Sequence, residues 1–151
     1  MHVFRLCREE FKALDGGGGR LYGGRWNSPG RPMVYASSTL ALAALEYLVH
    51  LDAADAPSDL VALTIDVPND LTVRVIDASR LPAGWQVVSG SRAGQRLGDA
   101  WLTSRATAVL QVPAAPVPDE SNILLNPAHP DAARIKTVRE RPFSFDPRLL
   151  G

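Results

Sequence analysis

Leu60-Val-Ala-Leu-Thr-Ile-Asp-Val67 alternates along its length, with Val61, Leu63 and Ile65 on one side and Ala62, Thr64 and Asp66 on the other. A side-chain period of two marks a β-strand covered on one face by a core. Working outward, Val3 to Leu6, Met33 to Ala36, Leu71 to Ile76 and Thr107 to Val112 read as further strands, with Leu71 to Ile76 expected beside the 60–67 strand. Ile123 to Leu125 adds a short apolar segment, and the tail around Phe143 and Phe145 alternates like an edge strand. Two stretches have helical spacing. Leu40 to Leu51 follows the capping side chains Ser37, Ser38 and Thr39, and Ser91 to Arg105 runs through Ala93, Leu97, Ala100 and Trp101. Glu9 to Leu14 and Asp131 to Ile135 fit single helical turns, and Asp15 to Gly30 reads as a long glycine-rich loop. Strands outnumber helices and no βαβ rhythm repeats. The expectation is an α+β fold, one compact domain over residues 1–151 with mixed or antiparallel sheets and a few helices.

At 151 residues the chain is long enough to bury a real core, about two-thirds of its unfolded surface. Sixteen basic residues balance sixteen acidic ones, so no general field attracts a polyanion and direct nucleic-acid binding is not expected. A local site for a small anion stays open. Cys7 is the single cysteine, which excludes an internal disulfide and a thiolate zinc cluster and agrees with a cytoplasmic location. Met1 to Cys7 lacks the apolar core of a signal peptide. Ser37, Ser38, Thr39, Glu46 and His50 interrupt the apolar run from Pro32 to Leu51, so no membrane span is expected.

Glu46 is the only formally charged residue between Arg31 and Asp52, inside Leu40-Ala-Leu-Ala-Ala-Leu-Glu46-Tyr-Leu-Val-His-Leu51. In a helix it shares a face with Leu42 and Val49, apolar positions rather than a solvated stripe. Burying an unpaired carboxylate costs several kcal/mol, roughly. Glu46 is therefore either paired inside the fold or placed in a cleft, where it becomes a functional candidate. His50, one turn on, could hydrogen-bond to it. Two ligands at that spacing are too few for a metal, and no metal site is expected.

Gly16-Gly-Gly-Gly-Arg-Leu-Tyr-Gly-Gly-Arg25-Trp26-Asn27-Ser-Pro-Gly30 matches neither the P-loop nor the dinucleotide fingerprint. It is either a plain flexible loop or an anion site in which Arg25, constrained by Gly24 and Trp26, grips a phosphate or carboxylate. Tyr35 reads as a core aromatic whose hydroxyl finds a partner, or as a residue of the same cleft as Glu46. In Pro118-Asp-Glu-Ser121-Asn122-Ile-Leu-Leu-Asn126-Pro127, Ser121 and Asn122 sit at a strand entrance, as turn caps or as ligand contacts. No Gly-x-Ser-x-Gly elbow surrounds Ser121, so a serine nucleophile is not expected.

The order Gly-Gly-Arg25-Trp-Asn, Val-Tyr35-Ala-Ser, Ala-Leu-Glu46 and Glu-Ser121-Asn-Ile-Leu-Leu-Asn-Pro, from Phe4-Arg5-Leu6 to Phe143, resembles the RES-domain family. That resemblance implies a fold related to the mono-ADP-ribosyltransferase toxins and a role as the toxin of a bacterial type II toxin-antitoxin system. It implies NAD+ as substrate, Glu46, Arg25 and Tyr35 as catalytic residues, and Arg25, Tyr35, Ser121, Asn122, Trp26 and Asn27 as substrate contacts. A cognate antitoxin would block the NAD+ cleft in a hetero-oligomeric complex, and DNA would be reached only through that antitoxin. The acceptor of ADP-ribose would be water, phosphate or a protein target. Zero net charge and the lack of a basic patch tilt the expectation toward NAD+ depletion. The rival reading is a non-catalytic nucleotide- or partner-binding module in which Arg25 and Glu46 form a structural pair.

Overall fold

The computed structural model, which describes residues 1–87 and 92–151, joins seven strands in one sheet. These are β1 (His2–Arg8), β2 (Val34–Ser37), β3 (Leu60–Asp66), β4 (Val73–Val75), β5 (Val109–Pro113), β6 (Ser121–Leu125) and β7 (Lys136–Pro142), in the order β4-β5-β6-β2-β1-β3-β7. Every neighbouring pair is antiparallel except β4 with β5. With the helices α1 (Gly17–Tyr22), α2 (Leu40–Leu48) and α3 (Ala93–Ser104), this is the α+β architecture that the sequence predicts.

β3 is paired to β1 from His2↔Asp66 through Arg8↔Leu60. Its Val61, Leu63 and Ile65 enter a core with Val3 and Val109, while Leu60 and Ala62 on the other face meet Leu6, Ala43 and Phe145. The strand is thus covered on both faces for half its length. The 71–76 segment is not its neighbour. β4 lies at the far edge, parallel to β5 from Val73↔Val109, because parallel strands require a long crossover and α3 supplies it. The edge next to β3 belongs to β7, whose Lys136, Arg139, Glu140 and Arg141 keep it polar. Phe143 and Phe145 follow that strand instead of forming it, and Phe145 turns back to Tyr47 on α2, ring centres 6.2 Å apart.

The 15–30 stretch is not all loop, since Gly17–Tyr22 is helical. Glycine costs roughly 1 kcal/mol relative to alanine at each helical position. Close approach explains its presence here: a Cβ at Gly19 would lie 2.5 Å from the Met33 carbonyl oxygen. In α2 it is Thr39 that caps, its hydroxyl accepting from Leu42 N at 3.1 Å. Leu42 and Ala43 are buried but Val49 is 55% exposed, so the face that Glu46 shares is core on one side only. α3 presses its backbone on the 25–27 segment, where a Cβ on Gly98 would meet the Trp26 carbonyl oxygen. The expected start of that helix at Ser91 lies outside the described residues. Asp99 ties the same segment down, accepting from Ser28 N at 2.9 Å and from Ser28 Oγ at 2.6 Å. Among the described residues no helix is long and apolar enough to cross a membrane.

Candidate active site

β1 and β2 are in register at Phe4↔Ser37 alone. Beyond that point the sheet opens into a cleft of about 1410 Å³, walled by Arg5 and Leu6 of β1, Tyr35 and Ser37 of β2, and Glu46 and Tyr47 of α2. Arg25 and Asn122 line it too.

Glu46 satisfies both halves of its alternative. It is half-buried in the cleft wall, and Asn122 Nδ2 donates to its Oε1 at 2.6 Å. Asn122, only 8% exposed, has its own Oδ1 held by the Ser37 hydroxyl at 2.8 Å. Among the described residues no other hydrogen bond reaches the Glu46 carboxylate. His50 is exposed and is not its partner. Arg25 is not its partner either: Nη1 donates to Trp85 O at 2.7 Å and Nη2 to Gln86 O at 3.2 Å, with the guanidinium 5.9 Å from the Trp85 ring centre. The structural Arg25–Glu46 pair of the rival reading is therefore not formed.

Tyr35 joins its strand to the arginine segment. Its hydroxyl donates to Asn27 Oδ1 at 2.5 Å and accepts from Trp26 N at 3.1 Å. Burial pushes this phenol well above the ordinary tyrosine range, so it stays neutral in the cleft. Asn27 is fully buried and spends Nδ2 on the carbonyls of Gly19 and Arg31, at 2.8 and 2.9 Å. Both of its N–H donors are used, and the side chain has no exposed surface. The Trp26 side chain is 2% exposed and packs with Trp101 and Met33 in the core. Trp26 lines the cleft and Asn27 does not, and both fix the backbone that carries Arg25.

Ser121 is one residue from Asn122 and, by strand alternation, on the opposite face. Its Oγ accepts from Gln111 Nε2 at 3.2 Å and lines a separate cavity with Ile123 and Met1. The structure brings Asn122 to Glu46, and does not bring Ser121. Conversely, Arg5 belongs to the cleft although no role was expected of it. Nη1 donates to Tyr35 O at 2.9 Å across the opening between β1 and β2, Nη2 reaches Phe11 O at 3.5 Å, and the buried Nε has no partner. The signal was a cation at the parity of Val3 and Cys7, which point into the core.

The sequence profile of the RES domain matches residues 2–146. The chain belongs to the RES domain family. A relative named Prs ADP-ribosylating toxin from Sphingobium sp. (strain YBL2) is 41% identical over 139 residues, covering 91% of this chain and 86% of that protein. A Toxin Res from Photorhabdus laumondii subsp. laumondii is 37% identical over 153 residues, 99% of this chain and 97% of its own length. Among solved structures, the Mycobacterium tuberculosis MbcT-MbcA toxin-antitoxin complex contains a chain that superposes with a TM-score of 0.78 at 21% identity. The match covers 99% of this chain and 86% of that one, so the RES-family fold described above is shared.

Proposed function

We propose that this RES-family protein breaks the bond between nicotinamide and ribose in NAD+ and passes on the ADP-ribose, as the toxin of a toxin-antitoxin pair. The observation that carries the reading is Glu46, held by Asn122 at 2.6 Å in a cleft that Arg5, Arg25 and Tyr35 also line. Nicotinamide leaves NAD+ as a neutral molecule, taking the bonding electron pair onto its ring nitrogen, so no general acid is needed, unlike the two-carboxylate hydrolysis of ordinary glycosides. One carboxylate suffices. Glu46 stabilises the positive charge that develops on the ribose, an effect strengthened where water is restricted. Arg25 and Arg5 supply fixed cations for the pyrophosphate, and neutral Tyr35 borders the same space.

The acceptor then bonds to the ribose carbon and loses a proton. The name of the Sphingobium relative supports a protein acceptor over water, against the tilt given by net charge. The cleft, at about 1410 Å³, exceeds the roughly 300–1,000 Å³ of ordinary small-molecule sites. It has room for an acceptor side chain beside a dinucleotide. The Mycobacterium complex supports an antitoxin partner, which would cover this cleft and be the only route to DNA.

Nicotinamide release from NAD+ by the purified protein and by Glu46→Gln tests the reading. A fall of roughly 100-fold or more is expected on losing the charge; equal rates would remove Glu46 from catalysis. Product analysis with and without phosphate, and with lysate, identifies the acceptor.

A further inference from the structure

Ser37 and Asn122 form a two-step hydrogen-bonded relay behind Glu46, and both are almost fully buried, at 3% and 8% exposure. The amide of an asparagine can present either its oxygen or its nitrogen to a neighbour. Here the acceptor-only Glu46 carboxylate selects Nδ2, which donates to its Oε1 at 2.6 Å, and the Ser37 hydroxyl anchors the same amide from the far side by donating to Asn122 Oδ1 at 2.8 Å. Ser37 ends β2 and Asn122 lies opposite it on β6 in the Ser37↔Asn122 pair, so the relay is mounted on sheet backbone. We propose that Ser37 and Asn122 are positioning residues that orient the Glu46 carboxylate toward the cleft, Asn122 directly and Ser37 through Asn122. Asn122 is then not a substrate contact, and the serine that matters to Glu46 is Ser37.

The proposal rests on the reading of Glu46 as the catalytic carboxylate, and its consequences separate it from simple structural support. Ser37→Ala leaves Asn122 Oδ1 without its donor, so the amide loses its far-side anchor and the Glu46 carboxylate that it holds is no longer fixed in one position. Substrate binding, which uses other walls of the cleft, is spared, and the loss falls on kcat with KM within about twofold. Misplacement of a reacting group by ~1 Å costs on the order of 100-fold, so a kcat loss of roughly 10- to 100-fold is expected. Asn122→Asp places a second carboxylate against Glu46, and two adjacent carboxyls share a proton. The acid limb of the pH–rate profile then moves to higher pH. The other titratable groups around the cleft are Arg5, Cys7 and Arg8 on β1, Tyr35 on β2, Tyr47 on α2, and Glu10, Tyr22, Arg25, His50 and Arg92, and all are unchanged in this variant.

The test measures kcat, KM and the pH profile of nicotinamide release for wild type, Ser37→Ala, Ser37→Thr and Asn122→Asp, with urea midpoints to confirm folding. Alongside, ¹⁵N NMR follows the Asn122 side-chain amide in wild type, Ser37→Ala and Glu46→Gln. Support is a selective kcat loss in Ser37→Ala, recovery in Ser37→Thr, an upward-shifted acid limb in Asn122→Asp, and Asn122 amide signals that move in both Ser37→Ala and Glu46→Gln. A folded Ser37→Ala with wild-type kcat, or amide signals indifferent to both substitutions, overturns it. Should the wild type release no nicotinamide, the proposed function fails and the amide signals alone decide the relay.

Discussion

The Tyr35 hydroxyl sits 2.5 Å from Asn27 Oδ1, and that bond links β2 to the segment carrying Arg25. Tyr35→Phe strands the fully buried Asn27 oxygen and the Trp26 N–H together. Each unsatisfied buried group costs about 1–3 kcal/mol, so a clear fall in the urea midpoint is expected. The pH dependence follows from burial, which raises the Tyr35 phenol above its usual value. The folded state therefore holds its proton where the unfolded chain has lost it. Tyr35 contributes its full stability below about pH 10, the unfolded tyrosine value, and loses it as pH climbs further. The stability gap between wild type and Tyr35→Phe should be flat from neutral pH to that point and shrink above it.

Arg25 gives both terminal nitrogens to the carbonyls of Trp85 and Gln86 and lies by the Trp85 ring. A lysine cannot reproduce a planar fork that bonds two carbonyls and stacks. Arg25→Lys is expected to raise KM for NAD+ several-fold, and Trp85→Ala to do the same without touching the charge. Steady-state kinetics on the two variants checks this, and an unchanged KM in Trp85→Ala would show that the turn at 85–86 does not set the arginine.

Gly98→Ala puts a methyl group onto the Trp26 carbonyl oxygen, with backbone on both sides of the contact. Overpacking typically costs about 1–3 kcal/mol, and more where backbone must move. Thermal unfolding should show one of the largest losses of any single methyl addition in this chain. Wild-type stability would mean that α3 can slide on the 25–27 segment.

Ser121 and Asn122 make a paired comparison within one strand. Ser121→Ala removes a hydrogen bond from Gln111 on the face away from Glu46, whereas Asn122→Ala removes the donor to Glu46. Nicotinamide release should fall roughly 10- to 100-fold in Asn122→Ala and far less in Ser121→Ala. A larger loss in Ser121→Ala would reassign the two residues.

The strand at 60–67 and the α2 helix were legible because their signals are local: alternation, spacing and a threonine cap. The partner of β4 was not, since a three-residue strand carries no register information and only the crossover through α3 fixes its place. α1 was hidden by its glycines, whose helical cost is offset by packing that no propensity contains. At the site, the isolated charge of Glu46 in an apolar run left two outcomes, an internal partner or a cleft, and the structure shows both. In sequence the partners on offer are His50 and Arg25, since Asn122 lies 76 residues away in the chain and only the pairing of β6 with β2 brings it near. The packing of Trp26 in the core and the bonds of Asn27 to Gly19, Arg31 and Tyr35 were not legible either, because they depend on contacts distant in the chain.

β1 and β2 share a single registered pair, while β1 and β3 share seven. The sheet is accordingly two panels, β4-β5-β6-β2 and β1-β3-β7, sewn by one stitch and by the reach of Arg5 to the Tyr35 carbonyl. A molecule lying in the opening touches both panels and acts as a splint, so its binding energy also becomes cohesion of the whole sheet.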